Sequence, residues 1–256
     1  IGKYYFLFMS YGGLTSDGGY QMRIFRSENP DGPYVDCYGT SALFESYKMN
    51  YSSTTADNRG VLLFGGYQWD AMSGAEIAQG HNSAFVDKQN RSFVVYHTRF
   101  SNGGEGHQVR VHQLFLNDEG WLMAAPFEFD GETITDEAIA SKASIEDADI
   151  AGDYQFMRHQ YGQNTKAKAF ETPVNITLNA DGTITGAETG TWKRTAGTDY
   201  IHLTINNVVY RGVLVKQTVD YTNIPAIAIS ALSSSSGSLT MGQNNFTYQQ
   251  EVWAVK

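Results

Sequence analysis

The residue best suited to do chemistry is His81, in the stretch Gly80-His81-Asn82-Ser83-Ala84-Phe85-Val86-Asp87. An imidazole gains or loses its charge near neutral pH and is a common metal ligand, so a histidine at a strand end is a candidate acid–base group or ligand. The plainer alternative is a hydrogen-bonded structural histidine. A second candidate is the loop Gly12-Gly13-Leu14-Thr15-Ser16-Asp17-Gly18-Gly19, which follows Tyr11. Its small residues let another molecule approach the backbone closely, unless it is only a flexible connection. It lacks the spacing and following helix of a phosphate loop, which argues against nucleotide binding. A third is Gly65-Gly66-Tyr67-Gln68-Trp69-Asp70. An exposed Trp69 face could stack on a sugar ring, whereas a buried one belongs to the core. The carboxylates Asp17, Asp57, Asp70, Glu76 and Glu105 show no spacing that pairs two of them, so none reads as catalytic.

The elements that position these residues are short strands. Phe93-Val94-Val95-Tyr96 is β-branched and aromatic and reads as a buried strand. Ala84 to Val86 reads as the strand before it, with Gly80 bending the chain at its entry and Asp87 to Asn90 as the turn. Tyr4 to Tyr11, Tyr20 to Ser27 and Val61 to Phe64 are further strands. Gln108 to Leu116 alternates, with Val109 and Val111 expected on one face and Arg110 and His112 on the other. Asn117-Asp118-Glu119-Gly120 is a turn before a strand at Trp121 to Ala124. From Gly152 onward about eight strands with tight turns, Asn206-Asn207 among them, predict a small closed barrel. Ser233 to Ser238 is a short low-complexity loop.

Composition agrees with an all-β chain. The 256 residues include 26 Gly, 16 Tyr and 14 Phe, and only 18% are charged. The net charge of −9 falls entirely within residues 1–148, while residues 149–256 balance. This asymmetry predicts two domains, 1–130 and 150–256. Residues 130–149 hold seven carboxylates and one lysine, so the connection at 131–149 reads as an acidic, solvated linker with a short helix near Asp136 to Lys142. Its carboxylates lack the spacing of a calcium loop. An acidic chain without a basic stripe argues against nucleic-acid binding, and no apolar run is long enough for a membrane helix. Cys37 is the one cysteine, so no internal disulfide forms. Because the chain opens inside a strand, further polypeptide is expected before Ile1.

Several segments together resemble the endo-α-1,5-L-arabinanases of glycoside hydrolase family 43. They are Lys3 to Gly13, Phe25-Arg26-Ser27 with Asp31-Gly32-Pro33-Tyr34, Gly80-His81-Asn82-Ser83, Phe93 to His97, and Asp118-Glu119-Gly120-Trp121. The resemblance implies the last blades of a five-bladed β-propeller, about two and a half of them, followed by a β-barrel. It implies an extracellular enzyme (the periplasm and cell surface being alternatives) that hydrolyses internal links of arabinan with inversion. The family's three catalytic carboxylates would then lie upstream of Ile1, supplied by an N-terminal propeller half that is covalently continuous or associated. No catalytic residue is expected in this chain, which is expected to be inactive alone. The resemblance also makes His81 the ligand of one Ca2+ ion on the propeller axis, completed by waters. Tyr11, Gly12, Gly13 and Trp69 are the expected substrate contacts. The alternatives are a family 43 enzyme acting on xylan or arabinoxylan, and a non-catalytic glycan-binding protein.

Overall fold

A computed structural model describes residues 1–43, 59–159, 170–233 and 250–256. The chain is nearly all β. The first sheet joins β1 (Tyr5–Tyr11), β2 (Gln21–Ser27) and β3 (Val61–Phe64) in that order. The second joins β4 (Glu76–Val86), β5 (Ser92–Phe100), β6 (His107–Leu116) and β7 (Leu122–Ala124) as an antiparallel meander. Two short helices follow, α1 (Asp136–Ser141) and α2 (Asp147–Ile150). The remaining strands are β8 (Gly152–Arg158), β9 (Val174–Leu178), β10 (Thr183–Gly186), β11 (Gly190–Arg194), β12 (Tyr200–Ile205), β13 (Val208–Thr218), β14 (Pro225–Leu232) and β15 (Glu251–Val255). They close into an eight-stranded barrel, in which β15 pairs with β8. The expected barrel is therefore present. The two sheets have the size of propeller blades, but the described residues close no propeller ring, and no further half-blade accompanies them. Between β2 and residue 43 the chain makes only isolated bridges at Val35, to Arg26 and Ser41.

Alternation along the barrel strands explains how it is filled and what it touches. Leu214, Val252 and Ala254 point inward and pack with Tyr154, Phe156 and Ile176. Their neighbours Val213, Val215 and Trp253 belong to a different cluster, shared with Met22 and Phe64 of the first sheet and Tyr96 and Leu114 of the second. The outer wall of the barrel is thus the floor on which both sheets sit, as a period of two dictates when both faces of a strand are buried. At the centre of this seam Trp253 lies with ring centroids 5.4 Å from Phe64, 5.1 Å from Tyr67 and 4.2 Å from His159.

The segment 131–149 is more than solvated charge. Ile139 and Ile145 are buried, and the Leu116 N–H donates to Asp136 Oδ1 at 2.8 Å. Thr135 caps α1 through its hydroxyl. On β6 the two expected faces are buried unequally. Val109 is 64% exposed, while His112 is fully buried. Arg110 pairs with Glu128 at 3.0 Å, and His112 Nδ1 lies 2.7 Å from the Ala125 carbonyl oxygen.

Candidate functional site

His81 lies inside β4, not at its end. The strand runs from Glu76, and its pairing with β5 slips twice, between Ile77 and Gly80 and between Gly80 and Ser83. Each slip is a bulge that bends the strand and re-aims a side chain. Ala78 and His81 have φ of 54° and 49°, in the left-handed region that residues with a Cβ seldom adopt. A bulge leaves no period-two signature, so the sequence pattern stops at Ala84.

The local packing holds this conformation. The Tyr20 ring covers Gly80 so closely that a Cβ at position 80 would overlap it. The Tyr20 hydroxyl and Ser10 Oγ both accept from the His81 backbone N–H, at 3.1 and 3.2 Å. Ser10 Oγ in turn donates to Asn82 Oδ1 at 3.2 Å. The His81 side chain is left exposed, its ring centroid 5.9 Å from that of His97. His97 lies 5.6 Å from Tyr20 and 5.4 Å from His107. Burial, followed by the nearby Arg99, His107 and His81, holds the His97 pKa below the usual imidazole value.

The glycine loop adjoins this histidine row. Its two arms zip together through Gly13 N–H donating to Gly18 O at 2.8 Å. Gly12 and Gly18 are needed because a Cβ on either would strike the opposite backbone. The tip is tied down as well. Glu105 accepts from both the backbone N–H and the hydroxyl of Ser16, and pairs with Arg99 at 2.9 Å. These contacts, the Ser16 hydroxyl first, hold the Glu105 carboxyl below its ordinary pKa. The loop is therefore fixed beside His81, and it connects Ser10 and Tyr20, the two residues that grip the His81 amide.

Tyr11, Gly12 and Gly13 are half-exposed at the root of this loop, next to the histidines. Trp69 is not with them. It is 2% exposed, stacked 6.2 Å from Trp253 and 5.7 Å from Phe127, and its indole N–H donates to the Pro126 carbonyl. With both faces covered it has no surface for a sugar, and the core alternative is the correct one. Of the loop carboxylates, Asp17 accepts from Thr15 and Glu105 ties down the loop. Asp57 lies outside the described residues. Glu76 is buried at the seam.

Calcium needs six to eight oxygen ligands. Among the described residues no group of three or more His, Cys, Asp or Glu side chains could hold a metal. The exposed His81 imidazole, on a backbone held in the left-handed region, could offer one ligand to an ion whose other ligands are water or come from elsewhere. Ser10, Tyr20 and His97 were not singled out in the sequence. The available signal was Tyr20 directly after the Gly18-Gly19 pair.

Comparison with known proteins places these features in a wider group. Residues 126–242 match the family model described as the C-terminal lipocalin-like domain of glycoside hydrolase family 43. An extracellular endo-α-(1→5)-L-arabinanase from Thermotoga petrophila is 41% identical over 225 residues, covering 84% of this chain and 44% of that protein. The extracellular endo-α-(1→5)-L-arabinanase 2 of Bacillus subtilis is 37% identical over 239 residues, covering 91% and 48%. Among solved structures, the glycoside hydrolase family 43 YxiA protein of Bacillus licheniformis superposes with a TM-score of 0.82 at 34% identity, covering 99% of this chain and 52% of that one. The Thermotoga petrophila endo-1,5-α-L-arabinanase gives a TM-score of 0.81 at 38% identity with the same coverage. The chain spans about half the length of the relatives it matches.

Proposed function

The chain belongs to glycoside hydrolase family 43, and on that premise we propose that it is the C-terminal part of an extracellular endo-α-1,5-L-arabinanase. The observation that carries this reading is the match to two extracellular arabinanases at 37% and 41% identity, which runs through both the sheets and the barrel. The substrate is arabinan, a neutral polysaccharide, in keeping with an acidic chain that lacks a basic stripe. Among the described residues no helix is long and apolar enough to cross a membrane.

In this reading the reaction proceeds with inversion. A carboxylic acid protonates the leaving oxygen, and a carboxylate about 6.5–9.5 Å away activates water on the opposite face. Both groups come from an N-terminal propeller half outside this chain. Beside His81, Ser10 and Tyr20 hold the β4 backbone and Glu105 holds the loop. The most strongly perturbed carboxyls, Glu76, Asp220 and Glu251, are buried at the barrel seam, away from the histidine row.

This chain contributes binding and positioning. Tyr11, Gly12 and Gly13 present backbone and one ring to the glycan. His81 supplies one ligand to a calcium ion that is otherwise held by water and by residues outside the chain. When bound, that ion supplies a fixed positive charge that orders water and favours the ionised form of nearby carboxyls. The sheets at 1–130 act as the wall of the cleft, 131–149 as the connection and 150–256 as the supporting barrel.

The test is to incubate the complete polypeptide with linear arabinan and with arabinoxylan, following the first product by NMR. The expected result is internal cleavage of arabinan, with the new reducing end released first in the anomeric configuration opposite to that of the substrate. Cleavage of arabinoxylan alone, retention of configuration, or binding without cleavage would each overturn part of the reading.

A further inference from the structure

Both stems of the glycine loop end on a single atom, the backbone nitrogen of His81. Ser10, the penultimate residue of β1, reaches it at 3.2 Å, and Tyr20, just before β2, reaches it at 3.1 Å. That amide belongs to a residue in the left-handed region, between two slips of register. It has no ladder partner to fix it, so its geometry depends on these two hydroxyls. The Tyr20 ring closes over Gly80 and so fixes the preceding peptide as well. Tyr20 is only 6% exposed, and its ring faces His97, so it cannot move away without disturbing the histidine row.

We propose that Tyr20 and Ser10 are positioning residues for His81, clamping its strained backbone so that the imidazole is aimed before any ligand binds. The proposal rests on the reading of His81 as a metal ligand. It deepens that reading by making the glycine loop part of the metal site. Because the loop tip is tied through Ser16 to Glu105 and Arg99, whatever the loop contacts bears on the same clamp. Two acceptors share one N–H, which is an ordinary three-centre arrangement, so the clamp is redundant. Either hydroxyl alone keeps the amide satisfied. Loss of both leaves it without a protein partner and lets the left-handed turn relax.

The experiment uses the complete polypeptide and calcium chloride as the probe. Calcium affinity is measured by calorimetry for Ser10→Ala, Tyr20→Phe, the double variant, Ser10→Thr and His81→Ala. Hydrogen exchange of the segment around His81 and the melting temperature are measured in parallel. Each single variant should weaken calcium binding by about twofold and the double variant by about tenfold, as expected when a shared hydrogen bond is finally lost. Ser10→Thr should behave as the parent, and exchange at His81 should speed up only in the double variant. A double variant that binds calcium like the parent, beside a His81→Ala variant that does not, overturns the clamp and leaves the ligand reading intact. If His81→Ala itself binds calcium normally, the ligand reading fails and the clamp proposal with it. Should the double variant melt at low temperature, the single variants still decide: calcium affinity equal to the parent's in both contradicts the proposal. Faster exchange together with undiminished affinity contradicts the proposal.

Discussion

Two residues show how tightly single side chains are specified here. Gly80 has no space for a Cβ beneath Tyr20, so Gly80→Ala is expected to cost about 1–3 kcal/mol through overpacking, read as a lower melting temperature. Glu251 is buried, and its Oε1 accepts from the Ala124 N–H at 2.9 Å, the Trp253 indole N–H at 2.9 Å and the Ser230 hydroxyl. Burial raises its pKa well above the ordinary carboxylate value. Glu251→Gln keeps a carbonyl acceptor and should be nearly neutral in denaturant titration. Glu251→Leu leaves buried donors without a partner and should cost about 1–3 kcal/mol. Only the candidacy of His81 was legible, from residue type and the resemblance. Its partners Ser10 and Tyr20 were not, because they are 71 and 61 positions away in sequence. Trp69 was misplaced for a related reason, since Trp253, which covers it, enters from the far end of the chain.

At the scale of elements, regular strands were readable and irregular ones were not. The barrel strands keep a period of two, and Asn206 and Asn207, with φ of 51° and 65°, make the tight turn that their types favour. By contrast β4 breaks its period at two bulges, so only its last three residues looked like a strand. The glycine loop was recognised, but its rigidity was not, because that depends on backbone arms meeting across the loop. Gly18→Ala, which would push the arms apart, should raise KM for arabinan several-fold with little change in kcat and only a small fall in melting temperature. A comparable fall in kcat, with KM unchanged, would place the loop in catalysis instead of binding.

At the scale of the whole molecule, the seam between sheets and barrel is where titration and folding meet. Arg110 pairs with Glu128 at 3.0 Å and lies 3.6 Å from Glu76. The Glu128 N–H donates to Asp220, and Tyr96 donates to Glu76. Burial pushes Glu76 up to about 7 and Asp220 to about 8, with Glu128 also raised. Between the ordinary carboxylate range and these values the unfolded chain has given up protons that the folded chain retains. Stability from these groups is therefore full in acid and is lost as pH rises toward 8. The fully buried His112 and His159 are lowered to about 4 and about 3, chiefly by burial. The unfolded chain binds protons below about 6.5 that these rings refuse, so their contribution is lost as pH falls from there. The two trends oppose each other on the acid side of neutrality, and only the carboxyl trend acts above it. Melting temperature should therefore be greatest in mild acid and decline through pH 7 to 8.5. Glu76→Gln with Asp220→Asn should flatten that alkaline decline.

The charge asymmetry suggested two domains, but the core shared by the sheets and the barrel could not be seen in composition. It arises from alternate residues on barrel strands facing opposite ways. The central claim is that this chain builds the binding and positioning half of an arabinanase, with the reacting carboxyls supplied from outside it. The most direct measurement is arabinan hydrolysis by the purified 256-residue chain and by the complete polypeptide, at equal concentration and with calcium present. The account predicts cleavage by the complete polypeptide and none above background by the chain alone. Hydrolysis by the isolated chain would contradict it and would place a catalytic carboxyl pair among its own residues.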